Sequence, residues 1–239
     1  MKNKNNNLES QSKTDWYEIR KKHWESKEAT LKSVLGGWEE THLPDIKCSN
    51  ELINGLILTN QLNPEYALDC GAGIGRVTNN VLINFFNNID MFEKNEKFVE
   101  KCKEMFKNIP KIKNIYLSSL EQFDFKHKYD LIWIQWCLEN LEDEDLIPFL
   151  KKCKDNLCEN GKIIVKENYY FFDNSEDNND KNLHNINYEY SKEDCSKQRL
   201  DSFYINLFIN MGFKIINHFI NPNWPNKIMP LIVYVLEKN

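Results

Sequence analysis

The chain has 239 residues, 41% of them hydrophobic and 13% aromatic, which is enough for one large domain with a well-buried core. A net charge of -5 argues against a dominant nucleic-acid footprint, which shows as a basic excess. Seven scattered cysteines with no CxxC pair argue against a disulfide framework or a zinc module, and no apolar run approaches a membrane span. With the polar start "MKNKNNNLESQSK", these features point to a reduced, soluble, intracellular protein without a signal peptide.

Residues 1–14 are low-complexity Asn, Lys and Ser, and are expected to be disordered. The remainder, 15–239, is expected to form a single domain. Trp16 to Leu35 has helical apolar spacing and stops at Gly36-Gly37. Within it, the basic cluster Arg20–His23 reads as a solvated helix face. A second helix is expected after Ser49, with Leu52, Ile53, Leu56 and Ile57 on one face, so that 15–60 forms a helical cover.

From Tyr66 the pattern alternates. "YALDC" is a strand followed by glycines and a helix from about Ile74 to Phe86; "NIDMFE" is a strand followed by a helix near Lys94–Phe106. "IKNIYL" and "YDLIWIQW" are the next strands, then "DEDLIPFLKKCKDNL" is a helix ended by "ENG", and "KIIVKEN" is the fifth strand. Residues 169–187 form an acidic, Asn-rich loop insertion. Helical spacing is expected to resume in "YSKEDCSKQRLDSFYINLFINMG", before strands "FKIINHFI" and "PLIVYVLEK". Strands spaced by helices predict an α/β fold with a seven-stranded, mostly parallel sheet.

The bend "LDCGAGIGR" after the first strand is the chemical centre of the sequence. Tight glycine turns there let backbone approach a ligand at the carboxyl end of a parallel sheet. A dinucleotide fingerprint would place its third glycine at position 76, where Arg76 stands. The spacing is instead Gly71, Gly73, Gly75, preceded by Asp69, a form that suits S-adenosylmethionine, whose carboxylate Arg76 could pair with. Glu93 ends the second strand, 22 residues after Gly71, and an ionised carboxylate there can accept both ribose hydroxyl protons. Taken alone, Glu93 reads equally well as a surface charge.

At "LGGW", "LDCGAGIGR", "YDLIWIQW" and "LKKCKDNLCENGKIIVKEN" the chain resembles the eukaryotic protein alpha-N-terminal methyltransferases, from about Tyr17 to Leu236. The resemblance implies a class I methyltransferase (Rossmann-like) fold and methyl transfer from S-adenosylmethionine, leaving S-adenosylhomocysteine. The acceptor would be the free α-amine of proteins beginning Xaa-Pro-Lys. It also implies donor contacts from Gly71, Gly73, Arg76, Glu93, Leu120, Glu121 and Gln135, and substrate contacts from Trp24, Trp38, Trp136 and Asn168. Asp194 matches the family's proton acceptor. No metal is implied. The partners implied are substrate N-terminal tails, ribosomal proteins among them, with no nucleic acid and no membrane. The implied state is a monomer or weak dimer in the cytoplasm or nucleus.

An indole such as Trp136 can hold a proline ring by packing, and the amide of Asn168 can bond peptide backbone. Glu176, Asp177, Asp180, Glu189 and Glu193 would give an acidic rim for a lysine, or equally a solvated loop. Two departures stand out. Asn140 occupies the place of a family histidine and is assigned to bonding the substrate amine or orienting a water; Lys192 stands near where a family aspartate is expected, and an aromatic expected near Met229 is missing. The competing readings are a class I enzyme acting on a small-molecule amine, a non-catalytic binding protein of the same fold, and a nucleic-acid methyltransferase.

Overall fold

The parallel strands are near-continuous apolar runs, as a sheet covered on both faces requires. The computed structural model describes residues 13–169, 188–191 and 196–239, with residues 14, 188 and 189 described by backbone alone. Strands β1 (Tyr66–Cys70), β2 (Asn88–Glu93), β3 (Ile112–Leu117), β4 (Tyr129–Gln135) and β5 (Leu157–Asn168) pair in parallel in the order β3-β2-β1-β4-β5. Strands β6 (Tyr188–Tyr190) and β7 (Lys197–Arg199) make a separate antiparallel pair. Beyond β5 the sheet continues with β9 (Leu231–Lys238) and then β8 (Phe213–Ile220), β9 running antiparallel to both neighbours. The order reverses between β1 and β4, which opens a crevice at their carboxyl ends. This is the seven-stranded, mostly parallel arrangement expected.

Alternation along β4 divides the core. Ile132 and Ile134 face helices α6 (Asp143–Asp155) and α7 (Asp201–Asn210), burying Leu146, Phe149, Tyr204 and Phe208. Leu131 and Trp133 face α3 (His42–Leu58) and the helical stretch after the glycine bend, burying Ile53, Leu56, Val81 and Leu82. That stretch contains a π turn at Thr78–Leu82 and a short α4 (Ile83–Phe85). Helix α5 (Glu96–Phe106) is capped by the Asn95 side chain and sets Phe106 against Gly75, where a Cβ would lie 2.6 Å from the ring.

Several element boundaries differ from the expected ones, each for a local reason. The expected helix 16–35 is broken into α1 (Lys13–Glu25) and α2 (Leu31–Val34). Between them Thr30 takes an extended backbone and caps Ser33 N, starting a new helix. Arg20 is fully buried, its guanidinium 5.1 Å from the Trp16 ring, so that cluster is not a wholly solvated face. Helix α3 begins at His42 rather than after Ser49, because Ser49 and Asn50 bond back to the carbonyls of Asp45 and Ile46 from inside the helix. "ENG" belongs to β5, where Gly161 lets the chain pass close to the Tyr129 carbonyl. Helix α7 starts only at Asp201, since Lys197 and Arg199 extend as a strand to reach Glu142 and Asp143. The acidic insertion beyond Tyr169, with Glu176, Asp177 and Asp180, lies outside the described residues, as do Lys192, Glu193 and Asp194.

Asp69 ties the end of β1 to the π turn by accepting the Thr78 hydroxyl at 2.7 Å. Burial pushes its carboxyl up to about 6, from 3.8 when unfolded. The folded state therefore holds a proton that the unfolded state has lost. The associated stability is present below roughly pH 4 and falls as pH rises through the folded value, by about 3 kcal/mol in total. Asp69→Asn is expected to flatten the fall in unfolding free energy between roughly pH 4 and 6.5, measured by urea titration. Parallel wild-type and variant curves would remove Asp69 as the cause.

Candidate active site

The carboxyl ends of β1, β2, β4 and β5 open onto two adjoining clefts. The first encloses about 910 Å³, mouth included, and is lined by the glycine bend, the end of β2, the Ser118–Glu121 turn and the end of β4. The second encloses about 1210 Å³ and is lined by Trp38, Asn168, Trp224 and Met229 among others. Trp24, Val34 and Trp136 belong to both walls.

Every expected donor residue lines the first cleft. Gly71 and Gly73 have φ of 61° and 57°, and a Cβ on Gly71 would stand 2.6 Å from the Cys137 sulfur, so only bare backbone fits. Glu93 Oε2 accepts Gly73 N–H at 3.0 Å and its Oε1 accepts Asn95 N–H at 2.8 Å, which fixes the carboxylate at the cleft. Burial raises its pKa, against the pull of those N–H groups. Leu120 and Glu121 stand in the turn after β3, held by Lys152, which donates to the Glu121 carbonyl at 2.8 Å.

Arg76 and Gln135 are not free side chains waiting at the wall. Both converge on Asp45, a fully buried residue of α3: Arg76 forms an ion pair at 2.7 Å and Gln135 Nε2 donates at 3.0 Å. Lys166 also donates to Asp45, and to Ser49 Oγ at 2.8 Å. Despite its burial the Asp45 carboxyl is held down to about 2, by Lys166 and then Arg76. Trp133 Nε1 completes the network on Gln135 Oε1 at 3.1 Å.

Trp136 occupies the left-handed region at φ 54°, a conformation costing about 1–3 kcal/mol for a bulky residue. Its surroundings over-determine it. The backbone N–H bonds Lys166 O at 3.0 Å, the indole N–H donates to Asn168 Oδ1, and Arg76 lies 5.2 Å from the ring centroid. Asn168 in turn donates to Met229 O at 3.0 Å, and Trp224 donates to the same carbonyl at 2.9 Å. Asn140 lines the first cleft and donates to Trp136 O at 2.7 Å, so its N–H side is used on backbone and its acceptor oxygen is what it has to offer a substrate amine. Trp24 and Trp38 line the second cleft, Trp38 being 48% exposed.

Helix α1 straps the first cleft. Tyr17 donates to Asp145 at 2.6 Å at one end, while Asn95 and Lys97 bond the Trp24 and Glu25 carbonyls, each at 2.7 Å, at the other. The described residues hold no group of three or more His, Cys, Asp or Glu side chains fit for a metal ion.

Sequence reasoning missed Asp45, Lys166, Glu167 and Trp224. The signal for Asp45 was legible: it lies in phase with Cys48, Ser49, Ile53 and Leu56 on the buried face of α3, where a charge needs partners. Trp224 supplies an aromatic wall five residues from Met229, where the sequence had suggested a gap.

The cleft fits S-adenosylmethionine on these grounds: a bare glycine cradle, a carboxylate fixed beside it at the end of β2, and a cationic side chain, Arg76, in the same wall. The chain matches the family described as AdoMet dependent proline di-methyltransferase over residues 12–237. It is 34% identical over 244 residues to the alpha N-terminal protein methyltransferase 1 of Dictyostelium discoideum, covering 100% of this chain and 84% of that one. It is 36% identical over 157 residues to the N-terminal Xaa-Pro-Lys N-methyltransferase 1 of Bos taurus, covering 64% and 70%. A solved S-adenosylmethionine-dependent methyltransferase from Leishmania major superposes with a TM-score of 0.82 at 32% identity, over 93% of this chain and 83% of that one. By its sequence and its fold alike, this chain is a member of the AdoMet-dependent proline di-methyltransferase family, with S-adenosylmethionine as its methyl donor.

Proposed function

We propose that the protein methylates the free α-amine of proteins whose N-terminus reads Xaa-Pro-Lys or a close variant. The observation that carries this reading is the shared wall: Trp136, pinned by Asn168, belongs to both clefts, so a tail in the second presents its first residue to a donor in the first. Trp38, Trp136 and Trp224 give the second cleft apolar walls suited to proline, which has no N–H to satisfy. The bovine relative's name gives the motif.

Bound S-adenosylmethionine supplies an electrophilic methyl group on a sulfonium. Glu93 would accept from its ribose hydroxyls, the bare Gly71 and Gly73 backbone would admit it, and Arg76 would pair with its carboxylate. The Asn140 oxygen accepts from the substrate amine and orients its lone pair. The attacking amine must be neutral, and an α-amine with a pKa near 7.7–8.0 loses its proton at pH 7 for only about 1–1.4 kcal/mol, against about 4.6 for lysine. Asp194, assigned by resemblance, takes the proton that the ammonium form sheds before it attacks. A modest base suffices, and positioning supplies most of the acceleration.

A hexapeptide beginning Ser-Pro-Lys is expected to gain methyl groups by mass spectrometry, and its N-acetylated form to gain none; methylation surviving acetylation would indicate side-chain transfer. Asn168→Ala leaves the Trp136 indole N–H unpaired and takes away one of the two donors to the Met229 carbonyl, and is expected to lower kcat/KM about 10–100-fold, chiefly through peptide KM. Donor affinity should change less. An unchanged peptide KM would remove Asn168 from the substrate wall. Asp194→Asn is expected to move the acid limb of the pH–rate profile upward, and an unchanged profile would take Asp194 out of the base role.

A further inference from the structure

Asp45 lines neither cleft, yet it holds two residues that do. Its carboxylate is fully buried and meets the Arg76 guanidinium at 2.7 Å, the Gln135 amide at 3.0 Å and the Lys166 ammonium. Arg76 and Gln135 form part of the first cleft's wall, whereas Lys166 is fully buried behind it. Two cations thus face the Asp45 carboxylate, and Arg76 also lies within electrostatic reach of the buried Asp69. Arg76 NH1 approaches Asp45 without an aligned hydrogen bond, so the contact fixes the guanidinium by charge and leaves the rest of its fork for another anion. The opposite part of the cleft, at Glu93 and the Ser118–Glu121 turn, is held by separate contacts to Gly73, Asn95 and Lys152.

We propose that Asp45 is a positioning residue for the donor's amino-acid tail: it fixes Arg76 and Gln135 at the cleft wall, while Lys166 shares its carboxylate and leaves the guanidinium able to receive the tail's carboxylate. The inference rests on the first cleft being the donor's. It assigns a helix of the N-terminal cover a part in donor affinity, through two residues at the carboxyl ends of the central strands.

The test compares two ligands that share a nucleoside and a thioether. S-Adenosylhomocysteine carries the amino-acid tail, and 5′-methylthioadenosine lacks it. Calorimetric titration of Asp45→Asn is expected to show at least about a tenfold loss for the first ligand, or about 1.4 kcal/mol, and less than about threefold for the second. Lys166→Met leaves a neutral Asp45–Arg76 pair and is expected to lose the same ligand selectively; it decides the matter alone if the Asn variant does not fold. Equal losses for both ligands would make Asp45 a support of the fold and overturn the proposal. Unchanged or tighter S-adenosylhomocysteine binding would make Asp45 a competitor for Arg76, and would overturn it too. A wild-type protein that binds neither ligand would overturn the donor cleft itself, without reference to any variant.

Discussion

Strand alternation at the end of β5 organises the site. Lys166, Glu167 and Asn168 are consecutive, so Lys166 and Asn168 face one side of the sheet and Glu167 the other. Lys166 reaches Asp45 and so secures α3. Asn168 holds the Trp136 indole. Glu167 accepts the Cys137 and Leu138 N–H groups, both at 2.8 Å, and so closes the turn after β4. Burial drives the Glu167 carboxyl upward, so the strand carries a group that would prefer to be neutral for the sake of that turn. Arg199 braces the same turn from β7 through the Leu138 and Leu141 carbonyls, at 2.9 and 2.6 Å. A strained tryptophan can stand at the junction because three elements hold it there.

Charge is distributed across the site with some economy. The glycine bend lies between carboxylates, Asp69 beneath it and Glu93 at its side, while the cationic cluster lies toward α3. With the donor in the first cleft as proposed, its sulfonium would meet negative groups and its tail a positive one. Buried ion clusters of this kind add little to net stability against apolar replacements, so their value lies in orientation. The low demand on the base follows from the acceptor: a chain end gives up its proton far more readily than a lysine side chain.

Much of this was legible from residue patterns. The strands "YALDC", "NIDMFE" and "IKNIYL" have the bounds that their apolar runs suggested, because polar and turn-forming residues flank each run. The glycine bend, Glu93 and Gln135 could be placed because short-range spacing carries them to strand ends. The N-terminal helices were harder. Ser49 mimics a helix start yet bonds back inside α3, and Thr30 breaks a run whose apolar period continues past it. Arg199 and Lys197 were read into a helix because their partners, Asp143 and Glu142, lie more than fifty residues away and leave no local trace. Asp45 belongs to the same class: its burial is periodic, but its partners are tertiary.

Trp136 divides the two clefts as well as joining them. Apart from it, Trp24 and Val34, the two cavities are bounded by different residues. A substitution in the wall of one cavity can therefore reshape that cavity and leave the other as it was, save at those three shared side chains.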